Sequence, residues 1–440
     1  MTVTIQPTET DVAQWTADQG PGAESVFAWQ AAPIRFGLGA TDDVGRELTR
    51  AGVQRVLVVT DPGLVATGLP DRISEFARAA SIDAQVWSGV DVEPTDVSIR
   101  RALEELDGGS FDGLVGVGGG SSLDTCKLIN LLLSGGGELE DYLTPPHGAG
   151  REIAGPLKPM IGIPTTAGTG SECSAVAIVN LTERHVKGAV SDQRLRPTLA
   201  MVDPLNTVSA PSWVTASAGY DALIQTLESY TSKPFNRRAR AANGTTRPLY
   251  AGSTPISDVW NEKALSLMGR YLQRAILDPQ DLDARTGMAL GALFSRMGTA
   301  GAHIPHSAAY AVAGLVKSYR PPQFGAGPAL VPHGMSVVVT APAVFDRTYI
   351  GAPERHDRAV QLVTQGEGID CPPAEALGTW LRRLVAATGG PRSVNEFGFT
   401  ASDVPELVAG TLTQTRLLAG APIPVVPETL AEIFTASFCT

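Results

Sequence analysis

The stretch Leu114-Val115-Gly116-Val117-Gly118-Gly119-Gly120-Ser121-Ser122-Leu123-Asp124-Thr125-Cys126-Lys127 begins as a strand, breaks on three glycines and reads as a helix from Ser122 to Leu133. Glycines at a strand end let the backbone approach an anion closely, and a helix opening behind them points free N–H groups at it. Taken alone this is also the pattern of a tight turn with a capped helix. On either side lie further short apolar runs: Val56–Asp61, Ala84–Trp87, Met160–Pro164 and Thr198–Pro204. Strands alternating with helical segments imply a mostly parallel α/β sheet.

The pattern changes near residue 206. β-branched runs thin out, and 213–232, 257–276, 283–298, 356–364 and 374–388 have helical periodicity. Residues 233–255 and 318–332 are rich in Pro and Gly and read as loops. The expected fold class is therefore α/β plus all-α. A polar arm at 1–23 precedes a Rossmann-like α/β domain at 24–205 and a helical domain at 206–440, with a cleft between the two domains. A net charge of -11 argues against nucleic-acid or anionic-membrane partners. No run is apolar for long enough to span a bilayer, and the N-terminus has no secretory pattern. Cys126, Cys173, Cys371 and Cys439 lack metal or redox spacing, which suggests free thiols and a cytoplasmic location.

A second stretch, Pro164-Thr165-Thr166-Ala167-Gly168-Thr169-Gly170-Ser171-Glu172, offers small hydroxyl side chains after a strand. These can hydrogen-bond phosphate or an amide without crowding it. Asp61 ends an earlier strand, where an acid can accept from both ribose hydroxyls and repel a 2′-phosphate. The two motifs in this order resemble the nucleotide-binding signatures of the iron-dependent (group III) alcohol dehydrogenases. The likeness extends over about residues 24–440 and is strongest to the hydroxyacid-oxoacid transhydrogenase branch, through Leu227-Glu228-Ser229-Tyr230-Thr231, Pro255-Ile256-Ser257-Asp258 and Leu330-Val331-Pro332-His333-Gly334.

The resemblance implies a dehydroquinate synthase-like fold, NAD as cofactor and a homodimer or larger homo-oligomer. It places Asp61, Gly118, Gly119, Gly120, Ser121, Thr165, Thr166, Thr169 and Lys187 on cofactor-contacting positions. The family's metal site is built from an Asp and three His, the first two ligands four residues apart on one helix. Here those positions are Asp221 and Gln225, followed by His306 and His333. Asp, His and His suit Fe²⁺ or Zn²⁺, whereas the Gln amide is a weak ligand. Tyr310, one turn after His306, and His303, one turn before it in register, are the candidate catalytic side chains.

The expected activity is hydride transfer between NAD(H) and a small-molecule substrate, an alcohol/aldehyde or hydroxy acid/oxo acid pair. A metal-independent reductase and an impaired nucleotide-binding homologue with a scaffold role are the competing readings. Arg247, Lys317 and Arg320 are candidate anchors for a substrate carboxylate. For His147, His185 and His356 an ordinary hydrogen-bonded role is expected.

Overall fold

A computed structural model describes residues 22–106, 109–184, 186–240 and 250–438. Inter-residue contacts divide it into two units: 31–222 with 271–296, and 22–30 with 223–270 and 297–438. The single boundary expected at 205/206 does not match this division. Instead it falls between Ala222 and Leu223, inside the continuous helix Ser212–Thr231, and helix Leu282–Met297 joins the sheet-bearing unit nearly whole.

The sheet has six parallel strands: β1 (Ile34–Phe36), β2 (Arg55–Val59), β3 (Asp83–Trp87), β4 (Gly113–Gly118), β5 (Met160–Pro164) and β8 (Leu199–Val202). Their order is β1-β8-β5-β4-β2-β3. The central strands read as unbroken apolar runs because both faces are covered. Val56, Val58, Val115 and Val117 pack against Val44, Leu48, Ile73 and Ala77 on one face. Leu57, Val59 and Leu114 pack against Ala102, Cys126 and Ile129 on the other. The chain leaves β2 for β3 and leaves β4 for β5, in opposite directions along the sheet. The carboxyl ends of β2 and β4 therefore flank a topological switch point, where open α/β sheets hold their ligands.

Two elements of this unit go beyond the sequence expectations. β1 is only three residues long. β6 (Val176–Leu181) and β7 (Val186–Ser191) form an antiparallel hairpin outside the main sheet. Ala177, Val179 and Leu181 alternate inward onto Leu128 and Leu131.

The other unit is helical. Ile304–Leu315, Ala341–Thr348, Val404–Leu412 and Pro427–Ala436 enclose a core of Ile304, Val312, Val344, Leu407, Leu430 and Phe434. Residues 22–24 run antiparallel to 238–240, tying the described part of the N-terminal arm to this unit. Among the described residues, no helix is long and apolar enough to cross a membrane.

Candidate functional site

The three motifs of the sheet unit converge at the carboxyl ends of β2, β4 and β5. Gly118 has φ +143°, a left-handed conformation that favours glycine, and a Cβ there would lie 2.4 Å from Ser122 Oγ. Gly120 starts helix Gly120–Gly135 against Thr169, with no room for a side chain. No side chain caps the helix at Gly119, and helix starts of this kind can receive an anion on their first N–H groups. The backbone N–H of Thr165 donates to Gly118 O at 3.0 Å, pinning the second motif to the first. Asp61 caps the short helix Pro62–Val65 by accepting from Leu64 N–H, and its other oxygen accepts from Ser122 Oγ at 3.2 Å. Thus Asp61, Gly118, Gly119, Gly120, Thr165, Thr166 and Thr169 lie together at these strand ends.

Ser121 turns its hydroxyl to Val92 O at 2.6 Å. Lys187, on β7, pairs with Glu93 at 2.9 Å, and Asn180 donates to the same carboxylate. The short 92–94 segment therefore connects Ser121 to the hairpin carrying Lys187.

Lys127 and Asp124, the last charged residues of the glycine motif, lie beneath it. Lys127 Nζ is fully buried and donates to Ser171 Oγ at 2.6 Å and Val176 O at 2.9 Å, with Asp124 Oδ1 at 3.2 Å. Burial pulls its amine below the usual lysine range, and the Asp124 carboxylate opposes that shift. Asp124 also accepts from Ile178 N–H, so one ion pair locks the glycine helix, the threonine loop and the hairpin together.

The metal-type residues depend on helix Ser212–Thr231, which is buried at every position from Gly219 onward. Asp221, Gln225 and Glu228 recur at spacings of four and three and so share one face. The ligating atoms of Asp221, His306 and His333 all lie within 4.8 Å of one another. His306 sits in the first turn of Ile304–Leu315, and His333 opens His333–Val338 after Pro332. The imidazoles meet edge to face at 5.4 Å between centroids, and the Tyr310 ring stacks on His333 at 6.0 Å. One carboxylate oxygen and two imidazole nitrogens, largely buried and converging, form a donor set that fits a borderline divalent cation. Gln225 is buried but uses its amide N–H to donate to Thr299 Oγ1 at 2.9 Å.

The placement of His303 does not fit the expected catalytic role. It is fully buried and caps its own helix: Nδ1 accepts from Ile304 N–H at 2.8 Å and Nε2 faces Thr231 Oγ1 at 3.3 Å. Burial lowers its pKa to about 4, so it is a neutral core imidazole. The anchor candidates are also committed elsewhere. Lys317 is exposed and paired with Asp403, and Arg320 spends its guanidinium on the carbonyls of Phe324, Gly325 and Pro328. Arg247, His185 and Cys439 lie outside the described residues. Cys126, Cys173 and Cys371 are free, and burial pushes the first two thiols well above their usual range.

Sequence reasoning missed Glu228. It is fully buried and accepts the backbone N–H groups of His303 and His306, with His306 Nδ1 against its second oxygen. Burial raises its carboxyl, but the adjacent His306 and then His303 outweigh that and hold it below the usual range. The signal was an acid seven residues after Asp221 on one helix.

Two family models cover most of the chain: iron-containing alcohol dehydrogenase over residues 31–204, and the C-terminal region of the Fe-containing alcohol dehydrogenase family over 249–438. The chain belongs to the iron-containing alcohol dehydrogenase family. Within it, the chain falls in the hydroxyacid-oxoacid transhydrogenase branch, whose members are enzymes. It is 39% identical to the mitochondrial hydroxyacid-oxoacid transhydrogenase of Xenopus tropicalis, over 95% of this chain and 92% of that protein. It is 38% identical to the Homo sapiens protein of the same name, over 96% and 93%. A solved 1,3-propanediol oxidoreductase superposes with a TM-score of 0.81 at 28% identity, over 94% of this chain and all of that one. The expectation of a cytoplasmic protein is overturned, because these transhydrogenases are mitochondrial by name.

Proposed function

We propose that this enzyme moves hydride between NAD(H) and the carbinol carbon of a small hydroxy acid or alcohol, and that its preferred cycle couples a hydroxy acid to an oxo acid. The observation that carries this reading is the buried Asp221–His306–His333 cluster with Tyr310 stacked on it. When bound, NAD supplies the hydride acceptor, and a divalent cation at Asp221, His306 and His333 supplies a Lewis acid for the alcohol oxygen.

The chain's own part is positional. Gly118–Gly120 and the helix start receive the diphosphate, and the Asp61 carboxylate favours a free 2′-hydroxyl over a 2′-phosphate. Thr166 and Thr169 line the approach, and Lys187 is held by Glu93 near the same loops. Tyr310 Oη is the proposed proton relay: its oxygen accepts the substrate's hydroxyl proton while its own phenol proton passes to solvent as the carbonyl forms. With NAD bound, an oxo acid at the same residues would gain a hydride and, through Tyr310, a proton from solvent, leaving no net change in the cofactor. Gln225 stands where the family places a third His and makes the cation site a three-ligand one. The assembly is proposed to be a homodimer, consistent with β1 lying at a sheet edge.

The test is label transfer. Chelator-stripped protein reloaded with Zn²⁺ or Fe²⁺ and catalytic NAD is given 4-hydroxybutyrate deuterated at its carbinol carbon, together with 2-oxoglutarate. Deuterium is expected on the new carbinol carbon of the product. If neither label transfer nor NADH formation occurs with any loaded metal, the reading is wrong.

A further inference from the structure

The side chain of Glu228 is fully buried on the helix face shared with Asp221 and Gln225. A carboxylate removed from water persists only where donors satisfy it. Here the donors all come from the start of one other helix, Ile304–Leu315. The N–H of His303 at its N-cap donates to Oε1 at 2.8 Å, and the N–H of His306 donates to the same oxygen at 3.1 Å. His306 Nδ1 lies against Oε2. The acid thus sits at the positive end of a twelve-residue helix and grips both backbone and ring of one residue.

A carboxylate accepts and cannot donate. His306 therefore carries its proton on Nδ1 and presents the lone pair of Nε2. We propose that Glu228 is a positioning residue for cation binding. It fixes the tautomer of His306 and anchors the ring to its own helix start, so a divalent cation meets a preset Nε2 donor. The inference rests on the reading of Asp221, His306 and His333 as a metal site and deepens it.

A simpler role, as a helix cap alone, makes a different prediction. In Glu228→Gln the amide oxygen still accepts backbone N–H groups, so capping largely survives. Its NH₂ group, however, donates to Nδ1 instead of accepting from it. His306 would then move its proton to Nε2 and lose the lone pair a cation needs.

The experiment uses full-length, chelator-stripped protein with Zn²⁺ alone, titrated against a competing chelator. Glu228→Gln is expected to weaken Zn²⁺ binding about 10- to 100-fold, while the metal-free protein keeps its melting temperature within a few degrees. In parallel, ¹⁵N-histidine NMR of the unsubstituted protein, with His306→Gln to assign the signal, should report an Nδ1–H tautomer both with and without Zn²⁺. Unchanged Zn²⁺ affinity in folded Glu228→Gln overturns this proposal and leaves the metal reading standing. Absence of Zn²⁺ binding by the unsubstituted protein overturns both. If Glu228→Gln does not fold, the tautomer decides alone: Nδ1–H supports the proposal and Nε2–H overturns it.

Discussion

At the glycine loop the chain makes room by omitting side chains, whereas at the histidine cluster it buries ionisable ones and must satisfy each of them. Gly118 and Gly120 have no space for a Cβ, and what they offer a ligand is backbone N–H. Asp221, Glu228, His303 and His306 are each less than one-tenth exposed, and what they offer is set by the partner of every polar atom. A backbone site tolerates changes of charge and fails on changes of volume. A buried polar site fails on changes of charge or tautomer, because an unmatched group costs its full desolvation.

Acid should separate the two regions most. His303 and His356 are buried neutral, both with pKa values lowered from 6.5 to about 4, chiefly by burial. Unfolding frees both to take a proton below pH 6.5, while the folded state takes none until about pH 4. The unfolded state therefore binds more protons in that window, and stability falls as pH drops through it. By pH 5 each should cost roughly 2 kcal/mol. Urea midpoints measured between pH 7 and 5 should fall, and His356→Gln should remove about half the slope. Hydrogen exchange should accelerate in helices Ile304–Leu315 and Pro353–Val363 before it does in β4 and β5. A flat profile would mean that these imidazoles are not buried neutral.

The next largest effect is expected from His333→Ala. Removing one of three ligands should weaken Zn²⁺ binding by more than about 100-fold, beyond what loss of a supporting residue costs. NAD(H) affinity should change little. Stoichiometric metal surviving the substitution would show that His333 is not a ligand.

The glycines sharpen the contrast from the other side. An alanine Cβ at Gly120 would lie 2.8 Å from Thr169 Cγ2 and Oγ1, so overpacking of about 1–3 kcal/mol should lower both stability and NAD(H) affinity. At Gly119 the nearest atom to such a Cβ is Thr166 Oγ1 at 3.7 Å, an ordinary contact. Gly119→Ala should therefore keep the melting temperature and weaken NAD(H) alone. Equal effects of the two substitutions on calorimetric binding and melting would argue against a diphosphate over this loop.

The same contrast explains what the sequence revealed. β2, β4, β5 and β8 were legible because a doubly covered strand is a nearly unbroken apolar run, β3 at the sheet edge through the short segment Ala84–Trp87, and the glycine loop because its strand, turn and helix are contiguous. β1 is too short to stand out, and the β6–β7 hairpin lies outside the main sheet, its short strands interrupted by Asn180, Lys187 and Gly188. The contact-based units differ from the 205/206 boundary because helix Leu282–Met297 looks like any other amphipathic helix, and only its packing assigns it to the sheet unit. Asp221, His306 and His333 were readable through the family pattern, but Glu228 was not, since its partners lie 75 and 78 residues away. His303 and His306 share one short stretch of text, and only their partners distinguish the capping imidazole from the one beside Asp221.

Gln225 gives the smallest expected effect. It shares the face of Asp221 and Glu228, and its amide N–H is engaged by Thr299. Gln225→His gives up that donor to place an imidazole where the family has its third His. A fourth ligand favours the cation, while the lost bond to Thr299 and the fit of a ring in a buried position oppose it. The net gain in Zn²⁺ affinity should be about tenfold, or roughly 1.4 kcal/mol, measured by chelator competition. If turnover of simple alcohols rises with affinity, Gln225 represents only a lost ligand. If affinity rises while hydroxy acid turnover falls, the Gln225–Thr299 pair is part of how the enzyme receives its native substrate. If neither changes, residue 225 does not face the cation, and the alignment of this helix with the family's metal helix is wrong beyond Asp221.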